Sequence, residues 1–121
     1  MSSKKTMVIG ATTNPSRYAF IAANRLVEHG HEIVPIGIKK GELAGKKIIN
    51  EKPAIEAINT VTLYVGPNNQ EEYFDYVVGL NPKRVIFNPG TENQEFEKLL
   101  EKKNIEVVEA CTLVMLAAGT Y

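Results

Sequence analysis

Gly10, Ala11, Thr12, Asn14, Arg17 and Tyr18 fall in one short stretch. An apolar run at residues 7–9 precedes them and a largely apolar segment at residues 18–27 follows. The first run reads as a buried strand and the second as a helix. Strand, tight turn and helix in that order make an anion-binding device. The first amides of a helix have no partner within it, and the helix dipole is positive at that end. Small residues let a phosphate approach the backbone, and Arg17 adds a charged donor.

Three further turns belong with this one. They are residues 35–39, with Pro35 and Lys39; residues 65–69, with Val65, Pro67 and Asn68; and residues 88–91, with Asn88, Pro89 and Gly90. All are rich in glycine, proline or asparagine. Lys39 and Lys40 follow the second strand, where a dinucleotide fingerprint places an acid to hold a ribose hydroxyl; here no acid comes before Glu42. Of the fingerprint glycines Gly10 alone is present, with Thr12 and Pro15 in the other two places. The pattern argues against NAD. A lysine pair suits a phosphate on the adenosine ribose, at the 2′ position in NADP or the 3′ position in coenzyme A.

Positioning these turns requires alternating strands and helices. A first helix is expected from Ser16 or Arg17 to about Glu28, opened by Pro15 and closed by Gly30. Residues 33–38 read as a second strand, its regular part ending near Pro35 because proline cannot donate to a ladder. Residues 39–45 read as a loop, 46–49 as a short edge strand, and 53–58 as one and a half turns of helix. A strand at 61–65 is followed by a helix capped by Asn68 or Asn69, with Glu71 and Glu72 in its first turn. Residues 84–87 form the fourth main strand. Thr91-x-x-Gln94 matches a capping box for a helix to about Lys103, terminated by Asn104. A fifth strand at 105–108 and an apolar stretch at 110–118, holding a turn or two of helix, close the chain. This alternation predicts one α/β domain over residues 1–121: a three-layer, Rossmann-like, doubly wound parallel sheet of main-strand order 2-1-3-4-5 with an added short edge strand. In such sheets the ligand sits at the carboxyl ends of the strands, where all four turns gather.

Composition sets outer bounds. The chain has 121 residues, 44% of them hydrophobic, enough for a core. Its formal net charge of +0 argues against a nucleic-acid partner held by a basic field. A single cysteine allows no internal disulfide and suits a reducing, cytoplasmic setting. No apolar run approaches the ~18 residues of a membrane span, and the N-terminal residues lack a signal peptide's apolar stretch. His29 and His31 flank Gly30 at the sheet end opposite the four turns, a poor metal pair with no evident third ligand.

Gly10-Ala11-Thr12-x-x-Pro15-x-Arg17-Tyr18, then Val34-Pro35-Ile36, then Asn88-Pro89-Gly90 resemble the small stand-alone CoA-binding proteins of bacteria and archaea. Those are similar to the N-terminal domain of the succinyl-CoA synthetase α subunit and of ADP-forming acyl-CoA synthetases. The resemblance spans residues 7–115. It implies CoA or an acyl-CoA held by Gly10, Ala11, Thr12, Asn14, Arg17, Tyr18, Pro35, Lys39, Val65, Pro67, Asn68, Asn88, Pro89 and Gly90. Three departures stand out. Thr12 replaces the usual serine of G-A-S. Pro35-Ile36-Gly37-Ile38 replaces a frequent P-V-N-P. Asn88-Pro89-Gly90 replaces Q-P-G or Q-x-G. The family often carries a cysteine near Cys111, which would place a thiol within reach of the CoA thiol; the plainer reading is a small buried side chain.

No nucleophile–base–orienter set is evident, and the phosphorylated histidine of the larger synthetases belongs to a domain with no counterpart here. The expected function is therefore a binding or regulatory module for CoA, not an enzyme. The alternative is a small NADP-dependent oxidoreductase, disfavoured by the missing tyrosine–lysine pair and by the lack of room for a substrate domain. A homodimer or a partner enzyme is the expected company; residues 113–118 could seal a dimer or cover the core.

Overall fold

The computed structural model describes residues 3–121. Four-residue strands β1 (Thr6–Ile9) and β2 (Ile33–Ile36) are linked by α1 (Tyr18–Glu28). A small hairpin follows, β3 (Glu42–Leu43) and β4 (Lys46–Lys47). Then come β5 (Thr60–Leu63), 3-10 turns at Pro67–Asn69 and Glu71–Tyr73, α2 (Phe74–Leu80), β6 (Arg84–Phe87), α3 (Gln94–Lys102), β7 (Glu106–Glu109) and α4 (Thr112–Ala118). The main sheet is parallel and ordered β2-β1-β5-β6-β7, which is the expected 2-1-3-4-5 once the hairpin strands are counted.

Strand side chains alternate between two apolar layers. Met7, Ile9, Val61, Leu63, Val85 and Phe87 pack with Val77 of α2 and with Phe96 and Leu100 of α3. Val8, on the opposite face, packs with Ala19, Ala23 and Leu26 of α1 and with Leu116 of α4. Ala19, Ala22 and Ala23 are buried on the inner face of α1. No helix among the described residues is long and apolar enough to cross a membrane.

Several local expectations are corrected. Strand β2 runs through Pro35 to Ile36. The Pro35 carbonyl accepts from Ile49 N at 2.9 Å, so its nitrogen also faces the Ile49 side and no bond to β1 is lost. Residues 46–49 form no full edge strand. Lys46–Lys47 folds back on Glu42–Leu43, inside the expected loop, through Ala44 (φ 51) and Gly45 (φ 83), while Ile49 alone bridges Ile36. Residues 53–58 are not helical: Ala57 is left-handed (φ 62), and Ile55 and Ile58 pack on the α2–α3 layer. Neither Asn68 nor Asn69 caps α2; the two 3-10 turns intervene and no side chain caps the helix. For α3 the cap is Asn93, whose side chain accepts from Phe96 N at 3.2 Å, while Glu97 Oε2 accepts from Asn93 N. Thr91 is engaged elsewhere: its N–H and hydroxyl both donate to the Asn88 carbonyl. Asn104 does end α3, in the left-handed region at φ 61.

Candidate functional site

The turns after β1, β2, β5 and β6 surround a cavity of about 720 Å³ at the carboxyl edge of the sheet, within the usual range for small-molecule sites of roughly 300–1,000 Å³. The expected residues Gly10, Ala11, Thr12, Arg17, Tyr18, Lys39, Val65, Pro89 and Gly90 line it.

The turn after β1 is set by contacts on both sides. Gly10 has φ +99, and a β-carbon there would lie 2.9 Å from the backbone carbon of Tyr64. The amides of Gly10 and Ala11 both donate to Ile36 O at 2.9 Å, which latches this turn to the end of β2. Thr12 Oγ1 accepts from Asn14 N, and Asn14 Oδ1 accepts from both Ser16 N and Ser16 Oγ. Arg17 then occupies the N-cap position of α1 with extended backbone and makes no side-chain cap. The amides of Thr12, Tyr18 and Ala19 donate to no described residue, and these residues line the cavity together with Arg17. Neither Arg17 nor Lys39 forms an ion pair among the described residues. The third charged lining residue, Glu72, is paired with Lys52 at 3.2 Å, and that ammonium lies 5.0 Å from the centre of the Tyr73 ring.

Five expected residues stand outside the lining. Pro35 is buried within β2 opposite Val8. Asn14 shapes the turn from its exposed outer side, and Pro67 and Asn68 are exposed in the first 3-10 turn. Asn88 is only 2% exposed and fully used by the fold. Its Nδ2 donates to Thr62 Oγ1 (2.7 Å) and Leu63 O (2.8 Å), and its Oδ1 accepts from Thr112 N (2.9 Å). Cys111 is half-buried ahead of α4 and does not line the cavity. His31 lies at the other end of the sheet, where its Nδ1 accepts from Lys4 N and its ring packs 4.9 Å from that of Tyr121.

Ser16, Gly37, Ile38, Gly66, Asn69 and Thr91 also line the cavity, from within the four expected turns though not singled out there, while Ala19, Tyr64, Glu72 and Tyr73 lie outside those turns and escaped the sequence reading. Gly37 carried a signal, since it stands where P-V-N-P has its asparagine. A β-carbon on Gly37 would lie 2.4 Å from Ala11 O. Tyr64 and Tyr73 read simply as apolar. The Tyr64 hydroxyl is buried near the Thr62–Thr112 hydroxyl pair and has no partner among the described residues. Burial pushes its pKa up to about 12, against weaker lowering by those two hydroxyls, and burial raises that of Tyr73 as well.

Comparison with known proteins agrees with this architecture. The chain is similar over its whole length to an uncharacterized protein of known crystal structure, with 57% identity, full coverage of both chains and a TM-score of 0.98. A hypothetical protein from Pyrococcus horikoshii OT3 is 29% identical, with 96% of this chain and 83% of that one covered and a TM-score of 0.88. A protein from Thermus thermophilus is 25% identical, with coverage of 98% and 91% and a TM-score of 0.86. No curated protein matches. Residues 4–117 match the family described as CoA binding domain. With nearly its full length inside that match, the chain belongs to the CoA-binding domain family.

Proposed function

We propose that this protein binds coenzyme A, free or acylated, in the cavity at the carboxyl edge of the sheet, as a non-catalytic binding or regulatory module. The observation that carries this reading is that Thr12, Tyr18 and Ala19, whose amides are free, line the cavity together with the unpaired Arg17 at the start of α1. Amides and a helix N-terminus suit a diphosphate, and arginine adds bonds to charged oxygen. Lys39, on the β2 side of the cavity, suits the ribose 3′-phosphate. Tyr64, Val65 and Tyr73 offer apolar surface to the pantetheine arm.

The state of the titratable lining groups supports a non-catalytic role. Glu72 is paired with Lys52 at 3.2 Å, and burial raises the pKa values of Tyr64 and Tyr73, so neither phenol is tuned toward ionising near neutral pH. Calorimetric titration with CoA, acetyl-CoA, NAD and NADP tests the ligand. CoA or its thioester should bind more tightly than either dinucleotide; equal or tighter NADP binding overturns the reading in favour of the nucleotide alternative. Acetyl-CoA incubated with the protein should be recovered intact at the buffer rate, and accelerated thiol release would sink the non-catalytic half.

A further inference from the structure

We propose that Gln70 is the positioning residue of this cavity: its side-chain amide ties the wall leaving β5 to the wall leaving β6 and sets their spacing around the ligand. The inference rests on the CoA reading of the cavity. Gln70 lies between the two 3-10 turns and is 0% exposed, although nothing in a polar stretch of asparagine, glutamine and glutamate foretells burial. Its Nε2 donates to Val65 O at 3.0 Å and to Thr91 O at 2.7 Å, and both of those residues line the cavity. Because Nε2 must serve both carbonyls, the amide's orientation is determined, and Oε1 is left buried without a partner among the described residues.

A buried unpaired acceptor costs stability, so an apolar side chain would be the cheaper filler unless the two carbonyls need a shared donor. They do, because although Tyr73 packs into the core, no other hydrogen bond among the described residues ties this segment to the β6 side. The bonds of Asn69 N to Gly66 O, Gln70 N to Pro67 O and Tyr73 N to Gln70 O are all local. The Lys52–Glu72 pair is exposed. Gln70 is therefore the hydrogen-bonded link from Asn69, Glu72 and Tyr73 to the β6 side. That side is itself anchored, through Thr91 on the Asn88 carbonyl and the Asn88 side chain on Leu63.

The test compares Gln70→Leu, which keeps volume and removes both donors, with Gln70→Glu. A carboxylate facing two carbonyls is repelled, whereas its protonated form donates one bond, so burial and this bond raise its pKa. Amide hydrogen exchange of the free protein, calorimetric CoA binding and equilibrium unfolding are the readouts. In Gln70→Leu, exchange should speed up by roughly tenfold or more at residues 64–73 and 89–93 only, as expected for a local opening. The sheet amides at 60–63 and 84–87 should keep wild-type rates. CoA affinity should fall by roughly tenfold, the size expected from losing a buried bonded pair. Gln70→Glu should show the same loss at pH 8 and recover toward wild type at pH 5.5. Taking the ratio to wild type at each pH cancels effects common to both proteins and the titration of CoA itself. If Gln70→Leu does not fold, the pH recovery of Gln70→Glu decides.

Uniformly faster exchange, unchanged affinity, or a pH-independent Gln70→Glu deficit would overturn the proposal. Wild type that binds no CoA sinks the CoA reading instead, and the localised exchange still decides whether Gln70 holds the two walls together.

Discussion

Gly37→Ala is a one-methyl perturbation with a large expected effect. The added β-carbon would sit 2.4 Å from Ala11 O and 3.2 Å from Ala11 C and N. These are backbone atoms, so no rotamer change relieves the contact, and the chains must separate by roughly half an ångström or more in a close-packed region. Retreat is blocked on the far side. Gly37 N donates to Ile49 O at 3.1 Å, and Gly37 O accepts from Asn50 Nδ2 at 2.8 Å. On the near side, movement pulls on the two bonds from Gly10 N and Ala11 N to Ile36 O. Overpacking costs about 1–3 kcal/mol and each weakened bond about 0.5–1.5 kcal/mol, so a loss of about 2–4 kcal/mol is expected. For a domain of this size that lowers Tm by roughly 10 °C. Gly66→Ala is the matched control: it lines the same cavity, has φ −66, and its β-carbon would meet nothing within 4 Å. It should leave stability within about 1 kcal/mol of wild type, with any gain coming from a stiffer unfolded chain. Urea unfolding of both variants, followed by calorimetric CoA titration, is the assay. Gly37→Ala should also bind CoA more weakly, because the displaced turn carries Ala11 and Thr12. If Gly37→Ala proves as stable as Gly66→Ala, the contact between the β1 and β2 turns does not constrain the cavity and the steric reasoning is wrong.

Arg17→Ala should weaken CoA binding by roughly ten- to a hundredfold, since a hydrogen bond to a charged group is worth about 1.5–3 kcal/mol. Arg17→Lys should restore only part of that loss, as lysine lacks the planar fork; calorimetry that finds both variants equal to wild type removes Arg17 from the site. Asn88→Ala should cost about 3 kcal/mol by stranding partners on β5 and the amide of Thr112; a denaturation midpoint equal to wild type would show that the side chain does not brace the sheet. The pKa of His31 is lowered by burial first, then by the charges of Lys4, His29 and Arg84. The unfolded chain therefore binds the proton first as pH falls below about 6.5, and this part of the stability, present above that pH, is lost toward and through the lower folded value. Unfolding free energies measured from pH 7.5 to 5 should fall more steeply for wild type than for His31→Gln; identical slopes refute the assignment.

Fold class and strand order were legible because each strand is a short apolar run set off by turn-forming residues, and each long helix has a wide apolar face. Those patterns are local, and alternation leaves few topologies for a parallel sheet. The position of the cavity followed from the same logic, as did Gly10, Ala11, Thr12, Arg17 and Lys39 in its lining, because a helix start and its flanking cations are written in consecutive residues. Local pattern failed where a polar group has competing partners, some a few residues away and some across the sheet. Thr91 matched a capping box, yet the Asn88 carbonyl takes both its donors and Asn93 caps α3 instead. Asn88 matched a ligand-binding turn, yet Thr62, Leu63 and Thr112 consume its side chain. Gln70 sat in a polar stretch with no sign of burial, and only the convergence of Val65 and Thr91 gives it a place in the interior. Sequence spacing determines which groups face the same way along one element; which carbonyl meets which donor across the cavity depends on elements twenty or more residues apart, and only the packed sheet brings those together.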